Sequence, residues 1–454
     1  MTVFGIRPVL LWSDMLIYAL LLGGGIWLTL AWRREYWRVA LRQVLANRVA
    51  MLSFGILCLY GAVGLLDTFH LRRVSAAHPS GGNIQSVLDL LCHSLITRRE
   101  KTYSAPLATH LYTKETLLLP DGRQERAYPR LHYAALHLQD SAARWPNIRV
   151  RLAIGTAGGL GVGTLLLLGG HLLTRRRGHA APVLSGSRQQ YWLWSGLCLG
   201  VCVILANVLI LSSGYHLLGT DKTGQDVLYI ALKSIRTGLV IGTLTTLIVT
   251  PFALGCGVLA GYFGGWVDDI IQYIYTTLAS IPDILLIAAS MLIFQVGLTA
   301  KETIVSADER LLYLCVIMGI TSWTGLCRLL RAEVLKLREI EYVQAADAFG
   351  IARIAIMLRH LIPNVLHIVL ISLILRFSGL VLAEAVLAYV GIGVDPSMHS
   401  WGNMINQARL ELAREPIVWW NLFAAFVFML GLVLPANIFG DAVRDALDPR
   451  LRTQ

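Results

Sequence analysis

At 454 residues the chain is long enough for several soluble domains, yet 56% of it is hydrophobic and only 15% is charged. Soluble domains carry roughly 25% charge, so the composition excludes a soluble protein and points to a polytopic inner-membrane one. The formal net charge of +11 does not argue for nucleic acid, because many of the bases cluster in short segments beside apolar runs, as cytoplasmic retention and anionic lipid require.

Taken in order, a first apolar run covers 14–32 and contains Gly23, Gly24 and Gly25. Arg33, Arg34, Arg38, Arg42 and Arg48 follow, with Tyr36 and Trp37 among them, a pattern that suits a helix lying in the membrane surface or a simple basic flank. A second span covers 50–67. Residues 69–150 are more polar, carry the turn signals Pro79-Ser80-Gly81-Gly82 and Pro120-Asp121-Gly122, and are expected to form a small extracytoplasmic domain. His93, His110, His132 and His137 within it lack metal-ligand spacing. A third span covers 152–173, where Gly155, Gly159 and Gly163 share one helix face and allow close approach of a neighbour. Arg175, Arg176 and Arg177 lead into a linker, Gly178 to Gln190, and a fourth span covers 191–212.

Beyond 213 come spans at 236–260, 270–297, 311–330, 364–390 and 417–439; Pro282 should kink or break the second of these. The expected fold is an all-α transmembrane bundle of about nine spans. Placing the base-rich segments 33–49, 174–190, 328–359 and 444–452 on the cytoplasmic side puts the N-terminus and 69–150 outside and the C-terminus inside. The expected organisation is N-terminal spans and surface helix over 1–68, the outer domain over 69–150, an additional helix pair over 151–212 and a core over 213–454. Among the seven cysteines, only Cys92 lies in a long polar loop; the other six read as small buried apolar residues, and no CxxC pair suggests zinc or redox chemistry.

No enzymatic reading survives. Asp221-Lys222-Thr223-Gly224 matches the core of the phosphorylation motif of P-type cation pumps, but Gln225 breaks it, and the segment falls on the outer side, where there is no ATP. No Gly-x-x-x-x-Gly-Lys-Ser/Thr loop, HExxH or GxSxG pattern occurs. No catalytic residue and no metal ligand is assigned, and ATP-driven work requires a partner. Charges at membrane depth are costly, by roughly 2.5–3.5 kcal/mol on insertion scales. Arg376 and Glu384 nonetheless fall in one span, about 12 Å and roughly 80° apart on a helix. With Asp283 beside Pro282 they are candidates to line a polar translocation path; pairing with neighbouring helices is the alternative.

The stretch Glu341-Tyr342-Val343-Gln344-Ala345-Ala346-Asp347-Ala348-Phe349-Gly350, continuing to Arg359-His360-Leu361-Ile362-Pro363, is too polar to span. Its alanines keep a helix slim, Gly350 permits a left-handed turn, and Pro363 restricts re-entry into the membrane. Four further motifs accompany it in order: Leu218-Gly219-Thr220-Asp221, Ala260-Gly261-Tyr262-Phe263-Gly264-Gly265, Ser400-Trp401-Gly402 and Asp445-Ala446-Leu447-Asp448-Pro449-Arg450. Together they make the chain resemble, over roughly 213–454 plus 33–67, the permease subunits of ATP-binding-cassette importers for dipeptides, oligopeptides and nickel. The resemblance implies an inner-membrane permease, not an enzyme, with Glu341, Gln344, Ala345, Ala346, Gly350, Arg359 and Pro363 in the loop that couples to a cytoplasmic ATPase. It implies a second permease subunit, two ATP-binding subunits that use the ATP, and an extracytoplasmic substrate-binding protein; peptides are the expected cargo. Gln344 replaces the family's glutamate, so either a neutral hydrogen bond makes that contact or Glu341 supplies the charge. A scaffold protein on a permease core, without transport of its own, is the alternative, and uptake assays with and without the chain separate the two. The first span and the pair at 152–212 are additions to the usual pattern.

Overall fold

A computed structural model describes residues 6–31, 35–73, 84–118, 124–136, 138, 143–176, 188–300 and 306–447. The two turn signals in 69–150, His137, the linker around 178–187, Arg33, Arg34 and the tail from Asp448 lie outside these residues. The helices are α1 (Trp12–Ala31), α2 (Glu35–Ala46), α3 (Arg48–Thr68), α4 (Val87–Leu91), α5 (His93–Thr97), α6 (Arg144–Arg176), α7 (Arg188–Ser212), α8 (Val227–Phe263), α9 (Gly265–Ala279), α10 (Asp283–Ala300), α11 (Ala307–Thr321), α12 (Thr324–Arg338), α13 (Glu341–Ala348), α14 (Arg353–Ile356), α15 (Ile362–Tyr389), α16 (Trp401–Glu411) and α17 (Trp420–Leu447). Strands β1 (Ile6–Val9), β2 (His70–Arg73) and β3 (Ile84–Ser86) form one antiparallel sheet, and β4 (Glu115–Leu118) pairs with β5 (Gln124–Ala127).

The fold is an all-α polytopic bundle. Among the described residues 6 helices are long and apolar enough to cross a membrane, or up to 8 if each bent pair is one span. The apolar stretch Trp12–Ile26 of α1 is shorter than these. Before it, β1 pairs with β2 in the register Val9↔His70. The break expected at Pro282 is present, an 87° bend between α9 and α10. A second break, of 40° between α11 and α12, carries no proline and was not expected. Conversely, α8 and α17 continue through Pro251 and Pro435.

The chain divides into two compact units, one of residues 1–9, 45–236 and 399–431, the other of 10–44, 237–398 and 432–454. In the first, α6 lies along α7. An added Cβ on Gly159 would sit 2.5 Å from the Val203 Cα, and one on Gly163 would lie 2.8 Å from the Leu199 side chain. Lipid offers apolar helices as good a surroundings as another helix does, so such close backbone approach is what holds a pair together. On the outward side Leu165, Leu166, Leu168 and Leu172 are exposed. In the second unit, one core gathers Val258 and Tyr262 of α8, Leu326, Leu330 and Val334 of α12, and Val343 and Ala346 of α13. Another gathers Ile241, Leu244, Met291, Leu314, Met318 and Leu387. The N-terminus of α1 is docked here: the Asp308 carboxylate accepts from the Ser13 amide at 3.2 Å and from the Ser13 hydroxyl, so a foreign carboxylate satisfies a first-turn N–H. Of the six cysteines expected to be buried, only Cys315 and Cys327 are; Cys58 is exposed and the others are half-buried. A span surface facing lipid is already apolar, so a thiol there needs no protein cover.

Gly159→Leu should force α6 and α7 apart, because the obstacle is backbone and cannot rotate away, at an overpacking cost of about 1–3 kcal/mol. Gly158 has nothing within 4 Å of an added Cβ, so Gly158→Leu should be silent. Thermal melting of the detergent-solubilised chain should show a lowered midpoint for the first variant only.

Candidate functional site

The polar segment before α8 is a structural turn. Asp221 is buried, and its Oδ1 accepts from the amides of Thr223 and Gln225 at 2.8 Å each, while the Thr223 hydroxyl binds both carboxylate oxygens. A carboxylate so occupied is no phosphoryl acceptor. Gly224 has φ +72 and an added Cβ would overlap the Glu100 backbone, so only glycine fits. Chain 100–107 runs against it: the Glu100 amide donates to the Gly224 carbonyl at 3.0 Å and the Thr220 amide to the Ser104 carbonyl at 3.1 Å. The Trp420 indole donates to the Thr220 carbonyl at 2.9 Å.

At the centre is a buried charge triad. Glu100 accepts the amides of His132, Tyr133 and Ala134 at 2.8, 2.8 and 3.2 Å. The His216 Nδ1 lies 2.7 Å from Asp226, and its Nε2 lies 3.6 Å from Glu100. Burial by itself depresses the His216 pKa; the hydrogen bond to Asp226 and the adjacent Glu100 overcome that and push it up to about 9. Burial likewise works against the charge of Glu100, but His216 and the three amides win and hold its carboxyl below the usual range. Arg98, from the same segment, donates to the carbonyls of Ser212 and Ser213.

The Ser400-Trp401-Gly402 motif is local scaffolding as well. Ser400 caps α16 through the Asn403 amide, and the buried Trp401 donates to the Ala231 carbonyl at 3.1 Å.

The stretch opening at Glu341 has the geometry of a presented helix. Helix α13 ends in a Schellman turn: the Gly350 amide donates to Asp347 at 2.9 Å and the Ile351 amide to Ala346 at 3.1 Å, with Gly350 at φ +74. Val343 and Ala346 face the core, whereas Glu341, Gln344 and Ala345 are exposed. Glu341 sits in the first turn, where a carboxylate complements the helix dipole. The Gln344 amide donates to Glu339 at 3.4 Å, a bond no glutamate could make, and Arg338 holds the same carboxylate. Asn364 donates to the Tyr342 hydroxyl at 2.8 Å, tying α13 to α15. Arg359 is exposed within a π-helical turn, Met357–Leu361, and Pro363 opens α15, where its missing N–H is harmless. A cleft of about 360 Å³ lies between Tyr262 and Phe263 on one side and Gln344 and Asp347 on the other, flanked by Arg338 and Arg353.

Sequence reasoning missed the apolar rim of this surface. Phe349 is 85% exposed, and Ile354 and Leu358 are also exposed. An aromatic beside a helix-ending glycine was the available signal, since such a position has no core to enter.

The three charges considered for a polar path are dispersed in burial. Asp283 is exposed at the start of α10, and Glu384 is buried in α15. Arg376 donates to the Ser322 carbonyl at 2.6 Å. Among the described residues no group of three His, Cys, Asp or Glu side chains is placed to hold a metal ion.

Residues 253–453 match the family model of binding-protein-dependent transport system inner membrane components. The chain is 31% identical over 239 residues to an oligopeptide transport system permease protein of Haemophilus influenzae, covering 53% of this chain and 72% of that one. It is 31% identical over 240 residues to a dipeptide transport system permease protein of Bacillus subtilis (53% and 70%), and 31% identical over 241 residues to a glutathione transport system permease protein of Pectobacterium atrosepticum (53% and 75%).

The triad sets a pH dependence. A His216 pKa raised to about 9 means its stabilisation is complete below the unfolded value of roughly 6.5 and is lost as pH rises through about 9. Limited proteolysis should cut the 100–135 region increasingly as pH rises through that window. His216→Gln should be cut at neutral pH and show no such rise.

Proposed function

The chain belongs to the family of binding-protein-dependent transport inner membrane components, and from that premise we propose that it is a permease subunit of an ATP-driven importer of peptides. It is a multi-pass protein of the bacterial inner membrane, and its relatives are named as permeases for oligopeptides, dipeptides and glutathione. The observation that carries the proposal is the exposed helix α13, closed by a glycine turn, within the family-matched residues.

In this reading α13 fits a groove on a cytoplasmic ATPase. Ala345 and Ala348 present little bulk, Phe349 supplies an apolar anchor, and Glu341, Gln344, Arg359 and Pro363 set the charge and the entry angle. The ATPase uses the ATP; this chain supplies the moving surface. A second permease forms the other half of the path, and a binding protein delivers cargo from the opposite side. Asp283, Arg376 and Glu384 are the polar groups proposed along the path. Nucleotide biases the alternating-access equilibrium only through its different affinity for the two states, and α13, packed on α12 through Val343 and Ala346, carries that bias into the bundle.

Gly350→Asp tests the coupling. A side chain at positive φ costs about 1–2 kcal/mol, too little to unfold the chain, and an added Cβ meets nothing within 4 Å, so the new carboxylate projects from the docking surface. In proteoliposomes holding the full complex, peptide uptake should fall by about tenfold or more while ATP hydrolysis continues, the loss expected when roughly 1.4 kcal/mol of coupling disappears. Uptake at the wild-type rate would sink the reading.

A further inference from the structure

The break between α11 and α12 is without a proline, and its construction points to a purpose. Helix α11 ends at Thr321 and α12 begins at Thr324, with a 40° bend between them. Ending a helix within an apolar layer strands carbonyls that water cannot reach. Two side chains serve carbonyls at this break. The Thr321 hydroxyl donates to the Ile317 carbonyl at 2.9 Å. The Ser322 carbonyl is met by Arg376, which reaches across from α15 at 2.6 Å. Gly325, in the first turn beyond the break, makes the room: a Cβ there would lie 2.6 Å from a guanidinium nitrogen of Arg376.

The far end of α12 is held just as firmly. Arg331 makes a two-pronged bond with Asp268 of α9 at 2.5 Å on each branch. Arg338 donates to the Tyr262 carbonyl at the end of α8 at 3.3 Å, and Glu339, directly after α12, receives the Gln344 amide of α13. So α12 has α13 attached at one end and a break at the other.

We propose that Arg376 is a positioning residue for transport: it caps the α11–α12 break so that the break serves as a hinge, and movement of α13 is turned into a change of bend at Ser322–Trp323. This rests on the permease reading and adds to it the pivot and the residue that holds it. Hinges are a few residues at element ends that absorb the backbone change, and a single charge-assisted bond across one is strong enough to hold the bend and weak enough to be exchanged.

The test uses the complete complex with its partner permease and ATPases in lipid nanodiscs, compared free of nucleotide and trapped with ATP and vanadate by hydrogen–deuterium exchange. In the wild type, trapping should change the protection of amides in 341–350 and also in 319–327. In Arg376→Leu the amides of 319–327 should exchange about tenfold faster or more before nucleotide is added, as loss of one charge-assisted hydrogen bond requires, and should no longer respond to trapping, while 341–350 still responds. Arg376→Lys, which keeps a cation able to reach the carbonyl, should restore part of the response. Gly325→Ala, which crowds the guanidinium out from the other side, should reproduce the Leu phenotype, and it carries the test if Arg376→Leu does not fold. The hinge is overturned if 341–350 responds in the wild type while 319–327 does not, or if Gly325→Ala and Arg376→Leu keep wild-type exchange at the break. A wild-type preparation without an ATPase, and without response in 341–350, removes the permease reading itself and the hinge with it.

Discussion

A helix that stops in or at the edge of hydrocarbon leaves backbone groups that only the protein can satisfy, and this constraint organises the molecule. The same solution recurs at its helix ends: a charged side chain from a distant part of the chain supplies the missing partner. Asp308 receives the first-turn amide of α1. Arg151 donates to the Ile210 carbonyl and the Ser213 hydroxyl near the end of α7. Arg376 meets the end of α11. Outside the spans, Glu100 gathers three consecutive amides in the same manner. Each contact replaces lost hydration with a charge-assisted bond, the stronger kind, and each joins segments that composition alone leaves independent.

How far the sequence could be read follows from whether a feature is local. The spans are composition, and they are legible from runs of apolar residues. The spacing of Gly155, Gly159 and Gly163 announces a packing face because helical periodicity puts all three on one side. Pro282 marks its break by chemistry, and Gly350 with three nearby alanines marks the presented helix and its turn. The α11–α12 break left no such mark: Thr321, Ser322 and Trp323 are ordinary helix residues, and what permits the bend is a guanidinium from α15. The triad was equally hidden, because Glu100 and His216 meet only after α6 and α7 have been placed between them in the chain. The His132 side chain lacks ligand spacing in the sequence, and its backbone amide is the group that matters.

The segments preceding the family-matched residues 253–453 are integrated into the two units. The 69–150 segment is hydrogen bonded along the turn that precedes α8, and its Glu100 is a member of the buried triad rather than a surface group. The α6–α7 pair contacts α3, where a Cβ on Gly55 would collide with Leu197. Their outward surface is a band of leucines with no charge among Leu165, Leu166 and Leu168, a surface suited to lipid.

The bond between Ser13 and Asp308 also carries a consequence for biogenesis. The two residues are 295 positions apart in the chain. With synthesis at roughly 5–20 residues per second, α1 emerges on the order of 15–60 s before its partner exists. During that interval its first-turn amide must be served by headgroups, water or the insertion machinery, and the helix cannot settle until most of the later spans have been delivered. A helix made early is therefore secured late, and a ribosome that stalls before residue 308 leaves an unfinished bundle in which α1 is undocked, a ready mark for membrane quality control.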